Sequence, residues 1–133
     1  MNKVTDSTKE ELLRVTERLL QSVSSADWDT YQELCDPTLT AFEPEGLGHL
    51  IEGMDFHRFY FDQGGHMGQH NNTIVAPHVR LLNDEVAVVS YVRLVQSIDE
   101  SNTVGTQRFE ETRLWQKRDG QWLHVHFHRS SPT

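Results

Sequence analysis

The apolar residues of this chain change their spacing midway, and that change limits the folds open to it. Leu12, Leu13, Val15, Thr16, Leu19, Leu20 and Val23 recur at three and four positions, which predicts one amphipathic helix. Arg14, Glu17, Arg18 and Gln21 occupy its other face. From Thr73 onward the spacing is two. Thr73 to Leu82, Glu85 to Ser97, Thr106 to Arg118 and Gln121 to Arg129 read as strands. Asn83-Asp84 and Asp119-Gly120 fit hairpin turns, whereas Asp99 to Gly105 is a longer polar connection. Helices followed by an antiparallel meander predict an α+β domain, with the helices on one face of a curved sheet.

Between the two halves the pattern is less regular. Ser7-Thr8-Lys9-Glu10 is a capping box and places the start of the first helix there. Asp27 caps a second, short helix through Trp28, Tyr31 and Leu34, which Asp36-Pro37 ends. Thr38 to Phe42 is a short strand candidate. Gly46 to Phe61 reads as a helix-like apolar run broken near Gly53. Gln63 to Asn72 carries Gly64, Gly65 and Gly68 and reads as a loop.

At 133 residues the chain is one domain, 1–133, with about 1–6 and 131–133 expected as flexible ends. No apolar run of membrane length and no apolar leader at the N-terminus is present. The single cysteine, Cys35, forms no intrachain disulfide and fits a reducing, cytoplasmic setting. The formal charge is −8 without a basic cluster, so neither nucleic acid nor a membrane is an expected partner.

Strand parity assigns side chains to faces. Val89, Tyr91, Arg93 and Val95 share one face of their strand; Leu123, Val125, Phe127 and Arg129 share one in the last strand. Phe109, Glu111, Arg113 and Trp115 share a mixed face between them. Arg93, Arg113 and Arg129 therefore turn toward apolar surroundings, where a lone guanidinium is very costly. Two readings stand. The arginines make structural ion pairs with Glu43, Glu45, Glu110 or Glu111, or they form a cationic pocket for a carboxylate. His124, His126 and His128 alternate on the opposite face. Same-face neighbours along a strand lie about 7 Å apart, so a packed face is expected there and no metal site. His57, among aromatics, is expected as a structural residue and Cys35 as an inert thiol. No phosphate-cradling glycine loop, nucleophile elbow or zinc-protease motif occurs, and no cofactor is expected.

Several stretches together are similar to the association (hub) domain of calcium/calmodulin-dependent protein kinase II. These are Cys35-Asp36-Pro37, Leu39 to Glu45, Gly48, Glu52 to Phe61, Pro77-His78 and Tyr91 to Leu94. Glu110 to Arg113, Trp115, Arg118 to Gly120, Trp122 and Val125 to Ser130 continue it, so that the resemblance spans about Lys9 to Ser130. It implies the cone-shaped fold of nuclear transport factor 2, with a long N-terminal helix packed into the sheet and a cavity between them. It also implies self-assembly into two-tiered rings, commonly of twelve or fourteen subunits (a dodecamer or tetradecamer), that gather kinase subunits bearing the same hub. His57, Arg93, Arg113 and Arg129 match the carboxylate pocket of such hubs. The chain holds no kinase domain or calmodulin-binding segment, so it is expected to be no enzyme, and to be either a hub from a kinase or a free-standing homologue. Its segment 62–72 is glycine-rich where the family has a longer one with a Trp near the position of Gly65. The alternatives are a carboxylate- or peptide-binding protein, or a small enzyme, on the same fold.

Overall fold

The computed structural model describes residues 3–63 and 69–133. Helix α1 (Lys3–Ser24) starts ahead of the predicted capping box, which lies inside it. Asp6 stands in its first turn, where a negative charge complements the helix dipole. Leu12, Leu19 and Leu20 are buried on its inner face. The buried hydroxyls of Thr16 and Ser22 donate to Leu12 O (2.8 Å) and Leu19 O (2.6 Å), so neither is stranded in the core.

Helix α2 (Trp28–Leu34) starts as predicted: Asp27 accepts from the Thr30 amide at 3.2 Å and from its hydroxyl at 2.7 Å. Strand β1 (Cys35–Phe42) follows at once, three residues earlier than expected, because Asp36 before Pro37 must be extended. The run predicted as a broken helix separates into three pieces. Pro44–Gly46 form a 3₁₀ turn, β2 (Ile51–Glu52) pairs with β1, and α3 (Asp55–Asp62) completes the run. Gly53, at φ +81, makes the corner, and its amide donates to Leu39 O at 2.7 Å.

Four long strands follow: β3 (Gln69–Asn83), β4 (Val86–Ile98), β5 (Val104–Arg118) and β6 (Gln121–Arg129). The expected loop over 63–72 is therefore strand from Gln69 on; its glycines at 64, 65 and 68 lie outside the described residues. The β3–β4 turn falls on Asp84-Glu85, one residue later than predicted, with Asn83 Oδ1 accepting from the Glu85 amide at 2.8 Å. Asp119 (φ 50) and Gly120 (φ 77) both adopt the positive φ that a type I′ hairpin needs. The sheet order is β2-β1-β6-β5-β4-β3, antiparallel except where β1 runs parallel to β6. Beyond β6, Thr133 and Arg108 exchange backbone hydrogen bonds of 3.1 and 3.2 Å, which continues the pairing through the expected loose end.

Alternation places Ala87, Val89, Tyr91, Arg93 and Val95 inward on β4, and Phe109, Glu111, Arg113 and Trp115 inward on β5. On β6 the predicted parity fails. Trp115 pairs with His124 but Leu114 pairs with His126, so Val125 is an extra residue, a β-bulge. Before the bulge Trp122 and His124 face the core; after it Phe127 does. Leu123 and Val125 are consequently not partners of Phe127 and Arg129 on one face, and the three histidines do not form one row. No helix among the described residues is long and apolar enough to cross a membrane.

Candidate ligand pocket

The inward face of β4, β5 and β6 is apolar near α1 and charged toward its open end. A cavity of about 260 Å³ lies there, and His57, Arg93, Arg113 and Arg129 all line it. The four residues picked from the sequence are therefore brought together, three by strand parity and His57 by α3. Phe109, Phe127, Tyr60, Phe61 and Tyr31 supply aromatic wall, and Leu20 and Val23 of α1 close the helix side.

The arginines make the ion pairs of the first reading while also lining the cavity. Glu111, fully buried, accepts from Arg93 Nε (2.7 Å), Arg113 Nη2 (3.0 Å) and the Tyr91 hydroxyl (2.7 Å). Arg113 Nε donates to the same Tyr91 oxygen at 2.8 Å. Arg129 Nη2 reaches Glu43 Oε2 at 3.2 Å and Glu45 Oε1 at 2.5 Å. Glu110, named as a partner from sequence, forms none of these ion pairs: one position out of phase, it lies on the outer face, where its amide donates to Ser130 Oγ at 2.7 Å. Aromatic faces support the cations. The guanidinium carbons of Arg93 and Arg129 lie 4.8 and 5.2 Å from the Phe109 ring centre, and that of Arg113 lies 4.5 Å from that of Phe127.

These contacts set the protonation states. Burial opposes ionisation of Glu111, but the Arg113 and Arg93 charges outweigh it and bring its pKa from 4.5 to about 2. Burial also opposes ionisation of Glu43, where His57 and Arg129 prevail and hold the carboxyl below its usual range. His124 is held neutral by burial and by the adjacent Arg113, whose Nη1 lies 3.4 Å from its Nε2. Burial pushes the Cys35 thiol, 3.5 Å from His124 Nδ1, up to about 12. Glu111 and Glu43 are thus ionised and paired, and neither resembles a general base with a raised pKa.

Two groups keep polar atoms without a hydrogen-bond partner among the described residues. Arg93 donates Nη1 to Asn72 Oδ1 at 2.9 Å, and among the described residues its Nη2 has no partner. His57 is 7% exposed, and neither ring nitrogen makes an aligned hydrogen bond among the described residues. Its Nε2 lies 3.2 Å from Glu43 Oε1, in contact but off the bonding direction. Sequence reasoning missed Asn72, Tyr91 and the inward position of His124. Tyr91 could have been found, since it shares the face of Arg93; the other two depend on a segment read as loop and on the bulge. Among the described residues no group of three His, Cys, Asp or Glu converges as for a metal.

Comparison with known proteins agrees with this geometry. Residues 8–133 match the family described as the calcium/calmodulin dependent protein kinase II association domain. The type II alpha chain of that kinase from Drosophila melanogaster is 50% identical over 125 residues, which are 92% of this chain and 24% of that one. The subunit delta of Oryctolagus cuniculus is 48% identical over 130 residues, 94% of this chain and again 24% of the other. This chain therefore spans about a quarter of the length of these relatives. The association domain of the C. elegans kinase superposes with a TM-score of 0.93 at 43% identity, covering 98% of this chain and 100% of that one. The hub homology domain of Chlamydomonas reinhardtii gives 0.87 at 43% identity, covering 92% and 97%. A nuclear transport factor 2-like protein of Salmonella enterica, 20% identical with a TM-score of 0.78 over 97% of this chain and 94% of that one, shares the fold alone. By these matches the chain belongs to the association domain family of calcium/calmodulin-dependent protein kinase II.

Proposed function

We propose that this chain is an oligomerisation hub, which assembles with copies of itself into a two-tiered ring of twelve or fourteen subunits. Through that ring it gathers kinase subunits bearing the same domain, in the cytoplasm, and it carries no catalytic step itself. The carrying observation is the association-domain match across residues 8–133, at full coverage of the C. elegans domain. Large apolar side chains left in solvent on a single subunit support it: Leu47 is 84% exposed, Phe59 59%, Leu82 58% and Val104 71%. Native mass spectrometry at micromolar concentration tests it. A particle of many subunits is expected; a monomer or simple dimer overturns the reading.

His57 Nδ1, buried in the cavity wall without a hydrogen-bond partner among the described residues, favours a second role beside the first. The pocket binds a small carboxylate or the acidic end of a peptide, with Arg93 and Arg129 as anion donors and Phe109 and Phe127 as walls. In calorimetry with phenylacetate as probe, Arg93→Ala should weaken binding by at least about tenfold, the scale of one charge-assisted hydrogen bond. The assembly mass should not change. Binding equal to that of the unaltered chain overturns the pocket role.

A further inference from the structure

The cavity already contains a carboxylate on Arg129, and that carboxylate is poised to leave. Arg129 Nη2 is shared by two glutamates, at 3.2 Å from Glu43 and 2.5 Å from Glu45. They differ in anchoring. Glu43 is 8% exposed and lies against His57, so it belongs to the buried frame. Glu45 is 39% exposed and stands on the short 3₁₀ turn at the cavity mouth. The backbone bonds of that turn are local: Gly46 N to Glu43 O (3.0 Å), Leu47 N to Pro44 O (3.1 Å) and His49 N to Gly46 O (3.1 Å). Leu47 (φ 52) and Gly48 (φ 88) follow in left-handed backbone.

We propose that Glu45 is a resident competitor for the ligand carboxylate, a gate that leaves Arg129 when a ligand enters. The inference rests on the carboxylate-pocket reading given above. The exchange is balanced. One carboxylate replaces another on the same guanidinium, so the charge of the site is the same before and after, and no buried charge is left alone. Glu45 returns to water at little cost, being already part-exposed. The closed population lowers the apparent affinity by the fraction of open sites, as in any equilibrium between competent and incompetent states. The same resident pairing specifies the ligand class, because a guanidinium placed to hold one carboxylate suits another.

The test is calorimetric titration of the assembled protein with phenylacetate, for the unaltered chain, Glu45→Gln and Glu52→Gln. Glu52 is exposed on β2 and not part of the cavity lining, so it controls for loss of one negative charge. Glu45→Gln should bind about tenfold tighter, the scale of a charge-assisted hydrogen bond no longer in competition. Glu52→Gln should bind as the unaltered chain does. Hydrogen exchange supplies the second readout: saturating phenylacetate should speed exchange of the amides of Gly46, Leu47 and His49 in the unaltered chain. If the unaltered chain binds and Glu45→Gln binds no tighter, or exchange in the turn is unaffected, the gate is wrong and the pocket reading survives. If neither the unaltered chain nor Glu45→Gln takes up the probe, the pocket reading fails and the gate with it.

Discussion

Glu111 is the residue on which the site depends most, because it neutralises two buried guanidiniums at once. Its folded pKa is depressed from 4.5 to about 2, so its stabilisation is complete above 4.5 and is lost as pH falls toward 2. His124 acts at a higher pH with the same sign. Its pKa is held well below 6.5, first by burial and then by Arg113, so below 6.5 the unfolded chain takes up a proton that the folded one refuses. Stability to urea should therefore be flat above neutrality, decline below pH 6.5 and fall more steeply below 4.5. His124→Gln should flatten the upper part of that decline. Glu111→Gln should cost about 3 kcal/mol at neutral pH, as when one partner of a buried ion pair is removed. A urea midpoint unchanged between pH 7 and 5 would contradict the His124 assignment. The neighbouring thiol gives an independent check. With its pKa at about 12 and 4% exposure, Cys35 should react with iodoacetamide far more slowly in the native protein than in urea.

At the scale of elements, Gly53 shows how a backbone requirement can override side-chain pattern. The apolar residues from Gly46 to Phe61 read as a helix-like run broken near Gly53; Gly53, at φ +81, does turn the chain, but from β2 into α3, so the part before it is no helix of the apolar pattern. Gly53→Ala should cost about 1 kcal/mol in urea unfolding, through the left-handed backbone alone. A Cβ there would meet only Pro37 O, at an ordinary 3.8 Å. A loss several times larger would mean that the corner is more crowded than its geometry indicates. The same contrast explains what was legible in the sequence. Period two located β4, β5 and β6 closely, because one face of each strand is buried and the other is not. It misplaced His124, because Leu123-His124-Val125-His126-Phe127-His128 alternates without interruption and nothing in it marks Val125 as a bulge. The bulge arises where β6 meets both β5 and the parallel strand β1, a long-range condition that a local pattern does not carry. Arg93, Arg113 and Arg129 were legible because a charge on an apolar face is anomalous in any single strand. Glu43, Glu45 and Glu111 were among the partners named from the sequence, but which arginines share each was not legible, since that depends on which strands are neighbours.

For the whole molecule, the sheet edges constrain how copies can meet. β2 is only two residues long, and β3 carries a register shift between Val75 and His78, with Ala76 at φ 49 and Pro77 lacking an amide donor. Short, bulged or proline-bearing edges resist further strand pairing. Assembly through side-chain surfaces is therefore the expectation, and Leu47 is the clearest candidate to lie in one. It is 84% exposed and held at φ 52, a conformation that costs a branched apolar residue about 1–2 kcal/mol relative to helical backbone. An isolated subunit gains nothing from either property. Asparagine adopts the left-handed region far more readily and exposes no apolar surface. Leu47→Asn should therefore leave the fold of the subunit as stable as before, or more so, while weakening assembly. In native mass spectra recorded over a dilution series, the variant should release smaller species at concentrations where the unaltered protein stays whole. If it gains stability and assembles unchanged, Leu47 lies outside the contacts between copies, and Phe59 or Val104, 59% and 71% exposed, becomes the next surface to alter.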